Sequence, residues 1–377
     1  MIYLDNAATT FPKPNCVIEE MSRCIKKYCG NPGRSSHDLS IKSATKIYET
    51  RTLLAEMFNA QPENVVFTYN TTYALNIAIK SLLKYSTHVL ISDIEHNSVY
   101  RPVYNLAKQK LCTFDIFSTS GSKNDIIESI KDKIKANTSL LICTHVSNVG
   151  SRTLPIKEIG HLCKKNNITL IVDAAQSAGL HEIDIKAMNI GALCFPAHKG
   201  LYGPQGAGAI VFNNDNFERT VIEGGTGINS KEPNMPDFLP EIHEAGTLST
   251  PAIAGWCESL KWIKSLDISK IRMHEEDLYD TCINLLKENN QVITYEMNDY
   301  AGNTLLFNVN NKSAAYISEL LNKKGICTRS GFHCSPLAHK SLKTGEGGAV
   351  RVSFSVFNSR NDVYLFIDAL NDIIKKK

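Results

Sequence analysis

Short apolar runs alternate with longer amphipathic stretches over the first two thirds of the chain. Seven of these runs are predicted as strands: 64–68, 88–92, 113–117, 140–146, 169–173, 192–195 and 209–212. Several are too apolar for one face to be exposed, which is typical of a parallel sheet covered on both faces. The intervening segments, such as 98–110 and 156–166, have the length and polarity of helices. The pattern therefore predicts an α/β domain with a mainly parallel, seven-stranded sheet.

The pattern changes in the last third of the chain. Residues 223–240 are rich in Gly, Asn and Pro, and a long helical stretch starts at about residue 250. Shorter strands are expected at 304–309, 325–328 and 350–354, followed by a final helix. We therefore predict a large α/β domain over residues 14–249. Residues 1–13 and 250–377 form a smaller α+β domain in this prediction.

Composition narrows the functional class. The 377 residues are 43% hydrophobic and 21% charged, and their net charge is +3. Such a small charge gives no reason to expect a nucleic acid or membrane partner. The eleven cysteines are scattered, which is typical of free thiols in a reducing compartment. The sequence shows neither a signal peptide nor a membrane-spanning run, so we expect a cytoplasmic protein.

Lys199 stands between an apolar run and a glycine-rich turn that leads into another apolar run. An ammonium at the end of a buried strand is costly without a partner. Burial lowers the pKa of a lysine and makes its amine a nucleophile toward an aldehyde. Lys199 is therefore a candidate for Schiff-base formation. The alternative is an ordinary surface lysine in a loop.

Polar residues at other strand ends suggest further parts of a site. Asp173 ends an apolar run, where its carboxylate would suit a pyridinium nitrogen, and Gln176 follows within donor reach of a ring oxygen. Thr71 and Thr72 open a helical stretch, which suits a phosphate group. Ordinary helix capping explains Asp173 and the two threonines equally well when each is taken alone.

His96 and Asn148 also follow predicted strands directly. The imidazole of His96 is suited to stack on a planar cofactor or to transfer protons. A loop histidine with only local hydrogen bonds is the alternative for this position. Asn148 adds an amide to the same edge of the predicted sheet.

A second group of candidates lies near the other end of the sequence. Cys334 follows Arg329 and His333, whose positive charge would lower the thiol pKa. The alternatives are an inert cysteine and a metal site with His333 and His339, for which the zinc-like pairing is incomplete. Arg351 stands alone in an apolar run, and a buried guanidinium needs an anion such as a substrate carboxylate.

Motifs spread over nearly the whole chain carry a family resemblance: Tyr3-Leu4-Asp5-Asn6-Ala7-Ala8-Thr9-Thr10, Glu95-His96, His145-Val146-Ser147-Asn148, Val172-Asp173-Ala174-Ala175-Gln176, His198-Lys199, Glu244-Ala245-Gly246-Thr247, and the Arg-x-Gly-x-His-Cys pattern that ends at Cys334. With these motifs the chain resembles the class V aminotransferase family of pyridoxal-phosphate enzymes. Within that family it is similar to the cysteine desulfurase and selenocysteine lyase group, and its short thiol loop resembles group II.

The resemblance implies the fold-type I architecture of pyridoxal-phosphate enzymes, a homodimer with active sites at its interface, and a role for each candidate residue. By resemblance, Lys199 binds pyridoxal 5′-phosphate through a Schiff base, Asp173 contacts its pyridinium nitrogen and Gln176 its phenolic oxygen. His96 stacks on the ring. The phosphate is bound by Thr71, Thr72 and His198, and Thr247 reaches the phosphate of the neighbouring subunit. By the same resemblance, Asn148, Arg329 and Arg351 bind the substrate, Cys334 takes its sulfur, and His96 transfers protons.

The implied reaction converts L-cysteine to L-alanine and leaves a persulfide on Cys334, which an acceptor protein then discharges. The alternatives are a selenocysteine lyase, another class V aminotransferase and a non-catalytic scaffold. The pathway served also stays open, with iron–sulfur cluster assembly, thiolation and selenium metabolism as the choices. No metal is expected in the site.

Four positions depart from the pattern of the group. Pro196 stands where a phosphate-binding serine is usual, so one phosphate contact is expected to be missing. Ser151 stands where a glycine is usual, and Phe332 and Ser330 replace the histidine and alanine commonly found in the loop that carries the thiol. These changes bear on substrate choice and on the acceptor.

Overall fold

The computed structural model describes residues 1–33, 36–213, 217–296 and 302–375. Its largest sheet has seven strands in the order β2-β8-β7-β6-β5-β3-β4. These strands are β2 (Val65–Thr68), β3 (Thr87–Ser92), β4 (Cys112–Phe117), β5 (Thr138–Thr144), β6 (Thr169–Asp173), β7 (Ala192–Pro196) and β8 (Gly208–Phe212). Only β8 runs antiparallel to its neighbours β2 and β7. The predicted seven-stranded, mainly parallel α/β sheet is confirmed.

Helices cover both faces of this sheet, so its central strands are buried on both sides. The helices that precede or connect its strands are α1 (Asn15–Lys27), α2 (Asp38–Phe58), α3 (Thr71–Leu82), α4 (Asn97–Lys108), α5 (Lys123–Lys131) and α6 (Ile156–Lys165). Side chains cap several of them: Asn70 accepts from the N–H of Tyr73 at the start of α3. Ser122 and Asp125 form a reciprocal capping box on α5.

A smaller lobe follows in the C-terminal part of the chain. Its helices are α8 (Ile268–Lys287), α9 (Ala314–Lys323), α10 (Pro336–Leu342) and α11 (Arg360–Lys375). An antiparallel sheet has the order β12-β13-β10-β9, formed by β9 (Val292–Thr294), β10 (Thr304–Val309), β12 (Arg329–Gly331) and β13 (Ala349–Ser353). The strand β1 (Ile2–Tyr3) pairs in parallel with β11 (Ile326–Cys327), so residues near position 1 belong to this lobe.

Helix α7 (Thr250–Leu266) joins the two parts of the molecule. It packs against α1 and α2, and its buried Trp256 contacts the rings of Phe67 and Phe195 in the core of the large sheet. The packing of α7 thus places this helix against the large sheet. The division of the chain into two domains at residue 250 stays a prediction.

No helix within the described ranges is both long and apolar enough to cross a membrane. All eleven cysteines are free thiols, and most of them are buried.

Candidate active site

Polar residues meet at the carboxyl ends of five strands of the large sheet. Thr71 and Thr72 follow β2, His96 follows β3, Asn148 follows β5, Asp173 ends β6, and Lys199 follows β7. Parallel strands present these ends at one edge, which is where open α/β sheets bind ligands. The small lobe adds Arg329 from β12 and Arg351 from β13.

A cavity of about 210 Å³ lies where these residues converge. Most residues predicted for the site line it: Thr71, Thr72, His96, Asn148, Asp173, Gln176, His198, Lys199, Arg329 and Arg351. The structure therefore brings together residues from both lobes and from five strand ends. Their individual roles stay predictions. Cys334 and Thr247 lie at other cavities, described below.

Lys199 lies in the turn that joins β7 to β8. This turn packs directly on the loop after Asp173, since a Cβ on Gly179 would clash with the carbonyl oxygen of Gly200. Tyr202 closes the turn by donating its N–H to the carbonyl of Lys199 at 2.8 Å. Burial lowers the pKa of Lys199 to about 8, and the positive charge of Arg351 acts in the same direction. The amine is thus available as a nucleophile near neutral pH.

The carbonyl before this lysine is held by an unusual number of donors. The oxygen of His198 accepts from Lys13 Nζ at 2.8 Å, Thr10 N at 3.0 Å and Thr9 Oγ1 at 3.1 Å. Burial lowers the pKa of Lys13 to about 7. The segment 9–13 therefore fixes the peptide that carries Lys199.

Asp173 is the buried carboxylate beside this lysine. Its Oδ1 accepts the N–H of Ala175 at 2.9 Å. Burial raises the pKa of Asp173, while this hydrogen bond and the charge of Lys199 lower it. A cation placed against this carboxylate would stabilise its ionised form.

The start of α3 forms an anion site. Thr71 and Thr72 lie in the first turn, where backbone N–H groups have no intrahelical acceptors, and both line the cavity. His198 adds a ring whose buried Nδ1 has no hydrogen-bond partner among the described residues. Burial lowers the pKa of His198 to about 3, so its ring is neutral and can donate to an anion from one nitrogen.

His96 caps α4 and is held in one tautomer. Its Nδ1 accepts the N–H of Ser98 at 3.0 Å, so the proton of the neutral ring is on Nε2. The Ser98 hydroxyl lies 2.8 Å from His96 Nδ1 and 2.8 Å from Thr72 Oγ1, linking the two residues. Burial lowers the pKa of His96 to about 4, with further lowering by the charges of Lys199 and nearby arginines.

Gln176 lines the cavity with its amide already engaged. Its Nε2 donates to the carbonyl of Ala7 at 3.0 Å. The amide therefore ties the loop after β6 to the segment that follows β1. Its predicted contact with a phenolic oxygen stays a prediction.

Arg351 is buried and paired within the protein. Its Nη2 donates to Asp5 Oδ1 at 2.7 Å, and its Nη1 donates to the carbonyl of Asn148 at 3.3 Å. Its Nε has no partner among the described residues. The anion expected beside this guanidinium is thus supplied by Asp5 in the structure.

Asn148 connects the large sheet to the thiol loop, which we define as residues 329–335. Its Nδ2 donates to the carbonyl of His333 at 2.8 Å, and its Oδ1 accepts from Ser335 Oγ at 2.7 Å. Both ends of the amide therefore hold this loop in place.

Cys334 is exposed and lies beside a second cavity of about 440 Å³. Its backbone is left-handed, with φ of +58°, and its carbonyl accepts the N–H of Asn97 at 2.7 Å. The two cavities share Thr72, His96 and Ser98 in their linings. The thiol is therefore separated from the lysine cavity by the His96 side chain and its hydrogen-bond partners.

A chain of neutral histidines supports the thiol loop from behind. His333 Nε2 lies 3.3 Å from the carbonyl of Arg329, and His333 Nδ1 lies 3.0 Å from His339 Nε2. His339 Nδ1 lies 2.8 Å from Thr344 Oγ1. One arrangement of protons satisfies every group: Thr344 donates to His339, His339 donates to His333, and His333 donates to the carbonyl of Arg329. Burial lowers the pKa of His333 to about 2 and that of His339 to about 4.

Thr247 is not at the lysine cavity. It lines a separate cavity of about 420 Å³, next to the ion pair of Arg51 and Glu244. The prediction for Thr247 concerned the phosphate of a neighbouring subunit, and it stays a prediction.

Three residues of this region were not assigned a role from the sequence. Ser98 holds the ring of His96 by a hydrogen bond, and Asp5 holds the guanidinium of Arg351. Glu95 is buried, its Oε1 accepts the N–H of Thr144 at 2.8 Å, and its Oε2 has no partner in the described part of the chain. Burial raises the pKa of Glu95 to about 8. The spacing of His96 and Ser98 is a capping pattern that was visible in the sequence.

The structure accounts for one of the departures noted above. Ser151 has a left-handed backbone, with φ of +53°, which explains why glycine suits this position. Its hydroxyl donates to the carbonyl of Thr304 and accepts the N–H of the same residue, both at 2.9 Å. These bonds to β10 offset the cost of the backbone conformation. Within residues 1–33, 36–213, 217–296 and 302–375, no group of three His, Cys, Asp or Glu side chains is placed to hold a metal ion.

Comparison with known proteins agrees with this geometry. The sequence profile of the aminotransferase class-V family matches residues 2–366. Proteins named probable cysteine desulfurase from Methanothermobacter thermautotrophicus and Pyrococcus abyssi are 31% and 33% identical, over 99% and 100% of this chain and 94% of each relative. An apo cysteine desulfurase structure from Thermococcus onnurineus has a TM-score of 0.90 at 30% identity, covering 100% of this chain and 95% of that one. The chain belongs to the aminotransferase class-V family.

Proposed function

We propose that this protein is a cysteine desulfurase that uses pyridoxal 5′-phosphate. It converts L-cysteine to L-alanine and takes the sulfur onto Cys334. The observation that carries the proposal is the placement of Lys199 beside Asp173, in a cavity that the thiol loop borders. The names of the relatives described above support the same activity.

The residues present fit this cofactor. Members of the family depend on pyridoxal 5′-phosphate. The first turn of α3 suits its phosphate, as does the Nδ1 of His198, which has no hydrogen-bond partner in the described part of the chain. The buried carboxylate of Asp173 suits its pyridinium nitrogen. Lys199 would hold it covalently, with Gln176 at its phenolic oxygen. When bound, the cofactor supplies an electron sink for the negative charge that develops at the substrate Cα.

The chain's own residues bind the substrate and move its protons. Arg351 would bind the substrate carboxylate, with Asn148 and Arg329 beside it. The neutral amine of Lys199 is suited to take the proton from the substrate Cα, because its pKa is lowered to about 8. The Nε2–H of His96 is a proton donor in the same cavity.

The sulfur step involves the thiol loop. The thiolate of Cys334 attacks the substrate sulfur, so that an S–S bond forms while the bond between sulfur and the substrate carbon breaks. The released carbon fragment takes up a proton and leaves as alanine. His96 lines both cavities, so this attack would take place beside its side chain.

A homodimer is part of this proposal. In a dimer, Thr247 would complete the phosphate site of the second subunit. The cavity at Thr247 and the exposed Tyr48 beside it belong to the same surface. A cytoplasmic location and a protein acceptor for the sulfur are the remaining parts of the proposal.

Alanine release from L-cysteine, with a reductant present, tests the proposed function. Wild type should release alanine, and Cys334→Ala should lose sulfur transfer from L-cysteine. Cys29→Ala is the matched control, because Cys29 is also exposed but lies after α1, away from the cavity. The same three proteins should be assayed with L-selenocysteine in parallel.

The outcomes separate the alternatives. Release from selenocysteine alone, unaffected by Cys334→Ala, would identify a selenocysteine lyase. Turnover of other amino acids without need for Cys334 would identify an aminotransferase. Absence of any turnover and of cofactor absorbance would leave a scaffold.

A further inference from the structure

A groove lined by the polar residues of two helices runs away from Cys334 between α3 and α4. The wall formed by α3 consists of Thr72, Asn76 and Lys80, which are spaced four residues apart and therefore share one face of the helix. Asn76 is held in place, since its Nδ2 donates to the carbonyl of Thr72 at 3.0 Å. Lys80 is half-buried at the far end of this wall.

The wall formed by α4 repeats the same pattern. Asn97, Arg101 and Asn105 are again spaced four residues apart and face the cavity of about 440 Å³. The hydroxyls of Thr72 and Ser98 lie 2.8 Å apart and join the two walls at the end nearest Cys334. The groove is therefore a defined channel with the thiol at one end.

The charge of the groove is entirely positive. None of the described residues that line it is a carboxylate, and neither Lys80 nor Arg101 has an ion-pair partner among the described residues. The N-termini of α3 and α4, both at the Cys334 end, add partial positive charge. Two uncompensated cations that face one groove indicate an anionic ligand.

The shape of the groove favours a peptide over a small molecule. Pockets for small molecules enclose the ligand, whereas this groove is open to solvent along the exposed Arg101 and Asn105. Lys80 follows Thr72 by eight positions, a distance of about 12 Å along α3. An extended peptide covers this length with about four residues.

We propose that the groove between α3 and α4 binds an acidic peptide segment of the protein that receives sulfur from Cys334. This inference rests on the proposed function, because it concerns the second half of that reaction. The acceptor's thiolate attacks the outer sulfur of the Cys334 persulfide, Cys334-S-SH. A new S–S bond forms on the acceptor, the old S–S bond breaks, and Cys334 leaves as a thiolate. Electrons balance without an added oxidant or reductant.

The test uses synthetic thiol peptides as probes on the full-length protein loaded with pyridoxal 5′-phosphate. The acidic probe is acetyl-Cys-Gly-Glu-Gly-Glu-amide, whose glutamates lie about 7 and 13 Å from its cysteine when extended. The matched neutral probe has glutamine in place of both glutamates. The Cys334 persulfide is first formed with L-cysteine and counted by mass spectrometry, and its discharge by each probe is then timed.

We expect the acidic probe to discharge the persulfide about tenfold faster than the neutral probe at low salt, since each exposed ion pair contributes a few-fold. The preference should shrink in 0.5 M NaCl, which screens such pairs. Lys80→Glu and Arg101→Glu should each reduce the preference, and the double variant should reverse it. Lys108→Glu is the control, because Lys108 is an exposed cation on α4 that does not line the groove.

Each outcome has one meaning. Equal discharge by the acidic and neutral probes, or equal loss with Lys108→Glu, would overturn the proposal. Discharge by mercaptosuccinate as fast as by the acidic peptide would show that a small anionic thiol is the occupant, which also overturns it. A protein that forms no persulfide on Cys334 would contradict the proposed function instead, and the first mass measurement detects this case separately.

Discussion

Arg351, which lines the cavity expected to bind the substrate, donates to Asp5 across 2.7 Å. The guanidinium is buried, while the side chain of Asp5 retains 20% exposure. A substrate carboxylate that binds Arg351 must therefore share it with Asp5 or displace Asp5 from it. In the structure without substrate, Asp5 therefore balances the charge of the Arg351 guanidinium.

Replacing Asp5 by asparagine tests this competition. Asp5→Asn leaves a buried guanidinium without a counter-charge, so we expect the free energy of unfolding to fall by about 3 kcal/mol. A bound carboxylate should restore much of this loss. The thermal shift produced by L-alanine, the product with its carboxylate intact, should therefore be larger in Asp5→Asn than in wild type. An equal or smaller shift would mean that the ligand carboxylate does not use Arg351.

The pKa of Lys199 predicts how fast the apo protein captures its cofactor. Only the neutral amine attacks an aldehyde, and burial lowers the pKa of Lys199 to about 8. The rate of covalent capture should rise about tenfold per pH unit below pH 8 and level off above it. Absorbance after mixing with pyridoxal 5′-phosphate measures this rate, and Lys199→Ala is the blank. A rate that keeps rising to pH 10 would contradict the lowered pKa.

His243 predicts a loss of stability in acid. It is buried against Phe212 and Phe217, and neither ring nitrogen has a partner among the described residues. Burial lowers the pKa of His243 from 6.5 to about 4. In the unfolded chain this histidine binds a proton below pH 6.5, whereas in the folded chain it does so only below about pH 4. The free energy of unfolding therefore falls as the pH drops from 6.5 to about 4.

His243→Phe removes this proton binding. We compare the free energy of unfolding of the variant with that of wild type at each pH. The difference should be about 2 kcal/mol more in favour of the variant at pH 5 than at pH 7. Urea unfolding at the two pH values measures the change. His161→Phe, which replaces an exposed histidine by the same residue, is the control. The same shift in both variants would assign the effect to composition and not to the burial of His243.

Asn148 predicts the order of the thiol loop. Asn148→Ala removes the bonds to His333 and Ser335, so we expect faster hydrogen exchange over residues 332–336 and at least tenfold slower persulfide formation on Cys334. Ser335→Ala removes only one of the two bonds and should have a smaller effect. Unchanged exchange in Asn148→Ala would show that the histidine chain holds the loop alone.

Much of the large sheet was predictable because its strands are buried on both faces. The run at 169–173 coincides with β6, and the run at 88–92 is β3 without its first residue. Strand β12 was not predicted, since Arg329–Gly331 has no apolar pattern and pairs only because β13 lies next to it. The packing of α7 on α1 and α2 was also not predictable, because periodicity shows that one face of a helix is buried but not which element covers it.

The sequence predicts those residues of the site whose role follows from their immediate neighbours in the chain. Lys199, Asp173 and His96 stand at strand ends, and strand ends of a parallel sheet converge. The pairing of Arg351 with Asp5 joins residues 346 positions apart, and that of Asn148 with Ser335 joins residues 187 apart. Such distant contacts depend on how the two lobes dock, which no local pattern of this chain specifies.

The donors on the carbonyl of His198 have a consequence for synthesis. The segment 9–13 that supplies them is anchored through Leu4 and Asn6 to Ser353, and the peptide it fixes carries Lys199. A ribosome that has translated residue 199 has not yet made the strand that anchors this segment. The lysine therefore gains its fixed position late, when residue 353 has emerged. In a nascent chain we therefore expect Lys199 to be an ordinary, protonated lysine that does not react with free aldehydes. Its amine becomes reactive only when the fold is complete.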